Sequence, residues 1–473
     1  MTALSPSGPL VDGKLVETPH TITVVNPATG EACAECPAAT PELLERAVDA
    51  AVRAAPAWAK EPGARRWTLE TVATVLDENR EALARTLSTE TGIPVRDAAM
   101  EAAGAAAFAR HRAAGPLPVD SVHDDERQRV QVRRAPIGVV GAIIPWNAPL
   151  LISAEKISTA FATGNTVIVK PSPLAPLTTA LLGELLAQSV PSGVLGVLPG
   201  GDELGAALVA HPAVGMISFT GSIDAGRAIM AAAAPRLKRL SLELGGNDAA
   251  IVLPDVSGGA VAKTAAKVYA GAFYRSGQVC AAIKRLYLPR PVFGEFTEAL
   301  AALAGQAVVG DPFDPSVTMG PVSNRAQSDR VRGLVEDAVA AGGTVLAGGP
   351  EVSGPGYFHR PTLVTGLAAD TALVAQEQFG PALPVLPYDE VDEAVAAAND
   401  TDYGLGASVW TTDPERGAEV AASLDAGSVW VNRHGVVSPE IPFGGMKQSG
   451  YGRANGAAGL DQYSELKTVS VRR

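Results

Sequence analysis

The chain has 473 residues, about three times a typical domain, so its length calls for two or more domains around a substantial core. Hydrophobic residues make up 47% and charged residues 19%, a globular profile that excludes extended disorder. A formal net charge of −12 excludes nucleic acid and anionic membrane as partners, because neither polyanion would be attracted. Small molecules are the expected partners.

Three cysteines, Cys33, Cys36 and Cys280, are an odd and sparse set that fits a reducing cytoplasm better than a disulfide framework. Met1 to Lys14 holds no basic segment followed by an apolar run, so no signal peptide is expected. The most apolar stretch, Ile137 to Ile152, is broken by Pro145, Asn147 and Pro149 and is shorter than a bilayer needs. It predicts a buried strand running into a loop.

From residue 40 to about residue 115 the pattern is helical, opened by Thr40 and Pro41 before Leu43, Leu44, Val48 and Val52. A polar interval from Asp120 to Arg134 then predicts one exposed strand leaving the first domain. Four β-rich runs alternate with helices after it: Val139 to Ile144, Thr166 to Lys170, Val194 to Leu198 and Met216 to Thr220. That alternation predicts a doubly wound parallel sheet. Beyond Gly245 a second α/β series follows, with helices at Val261 to Phe273, Phe293 to Leu303, Asn324 to Ala341 and Val391 to Asn399. Strands are expected at Ala407 to Trp410 and Ser428 to Val431, and a terminal strand at Tyr463 to Val471.

Four segments carry chemistry. In Phe273 to Cys280 a helical pattern breaks at Gly277 and delivers a single cysteine; a thiol in such a turn is expected to be partly exposed, with its pKa lowered by backbone N–H groups, as a nucleophile requires. In Leu242-Glu243-Leu244-Gly245-Gly246-Asn247 a carboxylate ends a strand among apolar neighbours, where desolvation raises its pKa toward that of a general base. Pro145-Trp146-Asn147-Ala148-Pro149 is a proline-pinned loop whose Asn147 amide can donate to a developing oxyanion. Phe219-Thr220-Gly221-Ser222 opens a helix reaching about Ala234, an N-terminus suited to a phosphate. Its spacing is not GxGxxG, and no GK[ST] follows, so an ATP loop is not supported.

These segments resemble the NAD(P)-dependent aldehyde dehydrogenases. The likeness runs from Asn26-Pro27-Ala28-Thr29-Gly30 to Tyr463-Ser464-Glu465-Leu466-Lys467-Thr468-Val469. Five blocks stand in family order: PWN at Pro145, GNTVIVKPS at Gly164, FTGS at Phe219, ELGG at Glu243 and GQVC at Gly277. Glu377-Gln378-Phe379-Gly380-Pro381 and Pro442-Phe443-Gly444-Gly445 follow. The resemblance implies two Rossmann-like α/β domains plus a small β element for oligomerisation. On that pattern residues 1–117 and 137–244 bind the dinucleotide, residues 245–440 are catalytic, and residues 118–136 and 455–473 bridge to another subunit of a homodimer or homotetramer.

The resemblance also implies roles. Cys280 adds to the aldehyde, Asn147 and the Cys280 N–H hold the oxyanion, and Glu243 activates the water that releases a carboxylic acid. Lys170 is expected on the adenosine ribose, Gly221 and Ser222 at the pyrophosphate, Glu377 on the nicotinamide ribose with Phe379 against it, and Trp146 beside the cleft. Ser172, Gly226 and Leu244 complete the cofactor set. The cofactor is NAD, with NADP left open because Pro173 stands where the family commonly has a glutamate three residues after the lysine.

Ala148, Leu151, Glu155, Val279, Ala281, Val437 and Phe443 are expected to line the substrate tunnel. Glu155 and Glu440 are placed near its mouth, either to favour a cationic aldehyde or simply as solvated glutamates. Arg275, where the family often has asparagine, either lowers the thiol pKa or faces solvent, with the solvent reading preferred. The Glu243–Cys280 interval is about three residues longer than usual, with Ser257-Gly258-Gly259 as the insertion. Cys33-Ala34-Glu35-Cys36 matches CxxC but lies in a hairpin strand without a second pair, and the scattered histidines show no ligand spacing, so no metal is expected. A CoA-acylating enzyme would lack Glu243, and a silent binding protein with this fold would lack the cysteine.

Overall fold

The computed structural model describes residues 6–115, 117–349 and 354–473. The first five residues of the Met1–Lys14 segment lie outside them. The protein is α/β, built on two large twisted sheets. In the first sheet the strand order is Gly450–Tyr451, Arg239–Glu243, Val214–Thr220, Val139–Ile143, Thr166–Lys170, Leu195–Val197, Leu10–Val11 and Lys14–Leu15. Its parallel strands start at Val139–Ile143, step outward to Leu195–Val197, then return to the other side at Val214–Thr220. That reversal is a topological switch point, where ligand crevices form at the carboxyl ends of strands. Val139–Ile143 pairs in parallel with both Thr166–Lys170 and Val214–Thr220, and Val214–Thr220 pairs in parallel with Arg239–Glu243.

These strands read as apolar runs because helices cover both faces. Thr166–Lys170 is buried at every position. One covering helix, Pro41–Lys60, starts where the sequence predicts: the Thr40 hydroxyl accepts from the Leu43 N–H at 3.3 Å, with Pro41 in the first turn. Phe161, Val167 and Val169 join the Leu83 and Leu87 side chains in the largest core.

The second sheet runs Thr344–Ala347, Thr362–Thr365, Ala382–Tyr388, Ile283–Pro289, Asp248–Val252, Gly406–Trp410 and Ser428–Val431. Val391–Asn399 is a helix with the predicted bounds, and Gly259–Phe273, Phe293–Gly305 and Arg325–Ala340 lie within two residues of theirs. The expected insertion Ser257–Gly259 forms the turn into Gly259–Phe273, with Gly258 at φ 53°. Sequence reading missed Ala382–Tyr388, whose two prolines hide an interior strand.

The polar interval after residue 118 folds as a hairpin, not one strand. Val119–Asp124 and Gln128–Pro136 pair antiparallel, turned where Asp125 Oδ1 accepts from the Arg127 and Gln128 amides at 2.8 and 2.9 Å. Ser464–Arg472 adds to the other side of Gln128–Pro136, giving a separate three-stranded sheet. Cys33 and Cys36 lie in Glu31–Pro37, one strand of a hairpin with Thr21–Asn26. Burial pushes the Cys36 thiol up to about 12. Among the described residues no helix is long and apolar enough to cross a membrane.

Candidate active site

The switch point delivers three site segments from adjacent strands. The loop after Val139–Ile143 carries Trp146 and Asn147, the turn after Val214–Thr220 carries Gly221 and Ser222, and Glu243 is the last residue of its strand. The second sheet answers with the turns that precede two paired strands. Cys280 stands before Ile283–Pro289, and Glu377 and Phe379 stand before Ala382–Tyr388.

Two cavities meet there. One, of ≈ 480 Å³, is lined by Trp146, Gly221, Ser222, Leu244, Glu377 and Phe379. The other, of ≈ 780 Å³, is lined by Ala148, Leu151, Glu155, Val279, Ala281, Val437 and Phe443. Asn147, Thr220, Glu243 and Cys280 line both. A molecule in each cavity would therefore touch the same thiol from opposite sides.

The turn before Cys280 is backbone-strained. Arg275 and Ser276 adopt φ 53° and 58°, followed by Gly277 at 70°, and left-handed geometry costs a side-chain-bearing residue about 1–2 kcal/mol. Local bonds hold it. The Ser276 hydroxyl donates to Gly320 O at 2.8 Å, and Gln278 Oε1 accepts from the Ser323 N–H at 2.8 Å. Arg275 does not face solvent. Its guanidinium is buried against the Glu101 carboxylate, whose other oxygen accepts from the Leu150 and Leu151 amides at 3.0 Å each. Glu101 thus caps the helix Pro149–Ala162 and clamps the cysteine turn to it, a pairing that solvates both charges where water cannot.

Cys280 is half-buried. Its pKa is not lowered as expected: burial pushes the thiol up to about 12, with the Lys284 ammonium pulling the other way. Desolvation outweighs the pull of that cation. Asn147 Nδ2 donates to Gln278 O at 3.0 Å, which leaves its second N–H for a ligand. Glu243, 7% exposed, has neither carboxylate oxygen hydrogen-bonded; the neighbouring Ala454 amide donates to Phe443 O at 2.7 Å instead. Burial pushes Glu243 up to about 8, and the Lys156 ammonium opposes it. Lys156 is itself buried, donating to the Ser218 hydroxyl at 2.7 Å.

The smaller cavity suits a nicotinamide cofactor. The helix Ile223–Ala233 opens into it with Ser222 as its cap, the hydroxyl accepting from the Ala225 N–H at 3.3 Å. Amides at that end point toward an anion. Trp146 and Phe379 stand edge-on at 5.4 Å as apolar walls. Glu377 Oε1 accepts from the Gly246 N–H at 3.1 Å, leaving acceptor capacity for a diol. Gln327 fixes this turn by donating to Gln378 O at 2.7 Å and Phe379 O at 3.0 Å, and Arg330 donates to Glu377 O at 3.0 Å.

Three expected cofactor residues lie off this cavity. Lys170 Nζ donates to Pro171 O at 3.1 Å, Ser172 Oγ accepts from the Leu174 N–H at 3.2 Å, and Gly226 packs under Leu244. Glu440 also stands apart from the larger cavity; it is exposed, 3.8 Å from His111. Sequence reading missed Lys284, Lys156 and the Glu101 clamp. A signal existed for Lys284, because Lys284 and Arg285 interrupt an otherwise apolar strand.

Comparison with known proteins agrees with this arrangement. Residues 15–469 match the model of the aldehyde dehydrogenase family. The chain is 37% identical over 486 residues to a betaine aldehyde dehydrogenase of Rhizobium leguminosarum bv. trifolii, covering 100% of this chain and 98% of that one. It is 37% identical over 485 residues to a phenylacetaldehyde dehydrogenase of Pseudomonas fluorescens, covering 98% of this chain and 95% of that one. An NAD+ complex of a Bacillus cereus aldehyde dehydrogenase superposes with TM-score 0.95 at 33% identity, covering 99% of this chain and 97% of that one. The chain belongs to the aldehyde dehydrogenase family, and it is an NAD(P)-dependent oxidoreductase that converts an aldehyde to a carboxylic acid.

Proposed function

We propose that Cys280 is the nucleophile, Asn147 and the Cys280 amide the oxyanion donors, and Glu243 the base for hydrolysis. The observation that carries this reading is that these three residues wall both cavities at their junction. The Cys280 thiol gives up its proton to solvent, the thiolate adds to the aldehyde carbon, and the carbonyl oxygen takes the charge beside Asn147 Nδ2; when that oxygen reforms its double bond the carbon gives up its hydride and is left as the Cys280 thioester. A bound nicotinamide supplies the hydride acceptor, and Ser222, Glu377, Phe379 and Trp146 would hold it. Glu243 then takes a proton from water, whose oxygen attacks the thioester carbon. The sulfur leaves with its electron pair, and the acid is released.

For the substrate we assign an aldehyde with an apolar or aromatic tail. Phe108, Leu151, Ile152, Val437 and Phe443 wall the larger cavity, and the charge of Glu101 in that wall is spent on Arg275. The dinucleotide-binding part is assigned to residues 1–117 and 137–244, and the catalytic part to residues 245–440. The three-stranded sheet, from residues 118–136 and 455–473, is assigned as the contact of a homodimer or homotetramer, because it leaves Val119, Val122, Leu466 and Val471 exposed. Free thiols at Cys33, Cys36 and Cys280 support a cytoplasmic setting.

The test is reduced-cofactor formation with NAD+ and NADP+ over apolar, aromatic and amino aldehydes. Cys280→Ala is expected to lose at least about 10⁴-fold in kcat. Retention of activity in that variant would sink the assignment of the nucleophile.

A further inference from the structure

Lys284 is a charged side chain where the fold offers no water. It is the second residue of the interior strand Ile283–Pro289, and its side chain is 1% exposed. Its ammonium donates to the Cys280 carbonyl, lies 3.1 Å from Glu377 Oε1, and sits 5.8 Å from the centroid of the Phe379 ring. One buried cation therefore touches the backbone of the nucleophile and the carboxylate that faces the cofactor cavity. Nothing in the proposed chemistry uses it.

A buried ammonium needs compensation, and here the carboxylate that compensates it is also a ligand-facing group, 16% exposed. Whatever draws on Glu377 changes how much of the Lys284 charge is left for its other neighbour. We propose that Lys284 is a positioning residue that couples Glu377 to the Cys280 thiol, so that engaging Glu377 from the cofactor cavity frees the Lys284 charge to stabilise the Cys280 thiolate.

The proposal rests on the assignment of Cys280 as nucleophile. Three acids on other elements oppose the thiolate: Glu377 from the turn before Ala382–Tyr388, Asp248 from the strand Asp248–Val252, and Glu243 from Arg239–Glu243, and the His434 imidazole lines the same cavity as the sulfur. Asp248 has His434 3.6 Å away. Lys284 is thus a cation set against these acids around the sulfur, favouring the anionic form where their ionised forms oppose it. The site needs such a device, because burial holds the thiol protonated at neutral pH while sulfur addition needs the thiolate.

The experiment reads the thiol rather than turnover. Cys280 alkylation by iodoacetamide is followed against pH by peptide mass spectrometry in the cofactor-free enzyme. Lys284→Met is expected to slow alkylation near neutral pH about tenfold or more and to move the midpoint upward, and Lys284→Arg to restore much of the rate. ADP-ribose, which carries the ribose without the nicotinamide cation, is expected to speed alkylation of the wild type and not of Lys284→Met. An unchanged profile in Lys284→Met, or no response of the wild type to saturating ADP-ribose, overturns the coupling. Should Lys284→Met not fold, Glu377→Gln carries the test: its midpoint must fall, and an unmoved or raised midpoint refutes the proposal. Failure of the nucleophile assignment would show separately, as turnover that survives Cys280→Ala.

Discussion

The cavity that ends at Phe379 and the cavity that ends at Phe443 reach the same thiol, yet they are made of different material. The first is built on short backbone turns that set its side chains: the turn at Gly221, the capped end of Ile223–Ala233, and a Glu377–Phe379 turn pinned through its carbonyls. The second is side chains from distant segments, with Phe108, Leu151, Val279, Val437 and Phe443 on separate helices and loops. Backbone walls are intolerant of a methyl group and indifferent to substrate identity. Side-chain walls can be exchanged one at a time, which lets one scaffold accept different aldehydes.

The shared wall gives the largest effect. Glu243→Gln keeps the shape of both cavities and removes the proposed base, so steady-state turnover is expected to fall about 10²–10⁴-fold. A burst of reduced cofactor should survive, because hydride leaves before water is activated. The sign with pH follows from the direction of the shift. Burial raises Glu243 to about 8, so the carboxylate that accepts the water proton is depleted below that pH and complete above it. Hydrolysis in the wild type should climb through about pH 8 and then level off. A rate flat across that range, or a burst lost together with the steady state, would remove Glu243 from this step.

A matched pair of methyl insertions separates the two kinds of wall. A Cβ on Gly245 would stand 2.1 Å from Glu377 Oε2, so Gly245→Ala must push that carboxylate out of place. The side chain is flexible, so the cost should appear as a cofactor KM raised about tenfold, near 1.4 kcal/mol, with little loss of Tm. Gly104 lies mid-helix in Val95–Ala113, and a Cβ there would meet only Leu151 Cδ1, at 3.4 Å. Gly104→Ala should leave cofactor KM unchanged and stabilise the helix by about 0.5–1 kcal/mol. Equal effects of the two variants on cofactor KM would erase the distinction between the walls.

The same difference explains what was legible in the sequence. Backbone walls are written as contiguous strings, so PWN, FTGS, ELGG and GQVC locate Asn147, Ser222, Glu243 and Cys280 without a structure. The alternation of apolar runs placed Thr166–Lys170 and Val391–Asn399 for the same local reason. Long-range pairs leave no such trace. Arg275 meets Glu101 174 residues away, and the two were joined only by folding. Between a cation that lowers the thiol pKa and one that faces solvent, the preferred solvent reading misses the burial, because a single sequence cannot show a partner on another helix. The thiol failed in the opposite sense: a turn near amides was expected to acidify Cys280, whereas packing desolvates it, and packing is what a single sequence states least directly.

Glu155 gives the smallest expected effect and the finest test of the second cavity. It lines that cavity half-buried, so charge alone would make it the seat of a cationic tail. Its surroundings argue otherwise. Arg112 and Lys156 are both buried and both feel Glu155 as a favourable charge, so its field is answered from within the protein before it reaches a ligand. Glu155→Gln is therefore expected to shift the ratio of kcat/KM for phenylacetaldehyde over betaine aldehyde by no more than about threefold, which is below 1 kcal/mol of discrimination. A cationic tail seated against an uncompensated buried carboxylate would lose far more. A shift of about tenfold or greater toward the neutral aldehyde would place the tail on Glu155 and turn the substrate assignment to cations. A small shift leaves selectivity to Phe108, Leu151 and Phe443, whose shape and apolar area select a tail without reference to its charge.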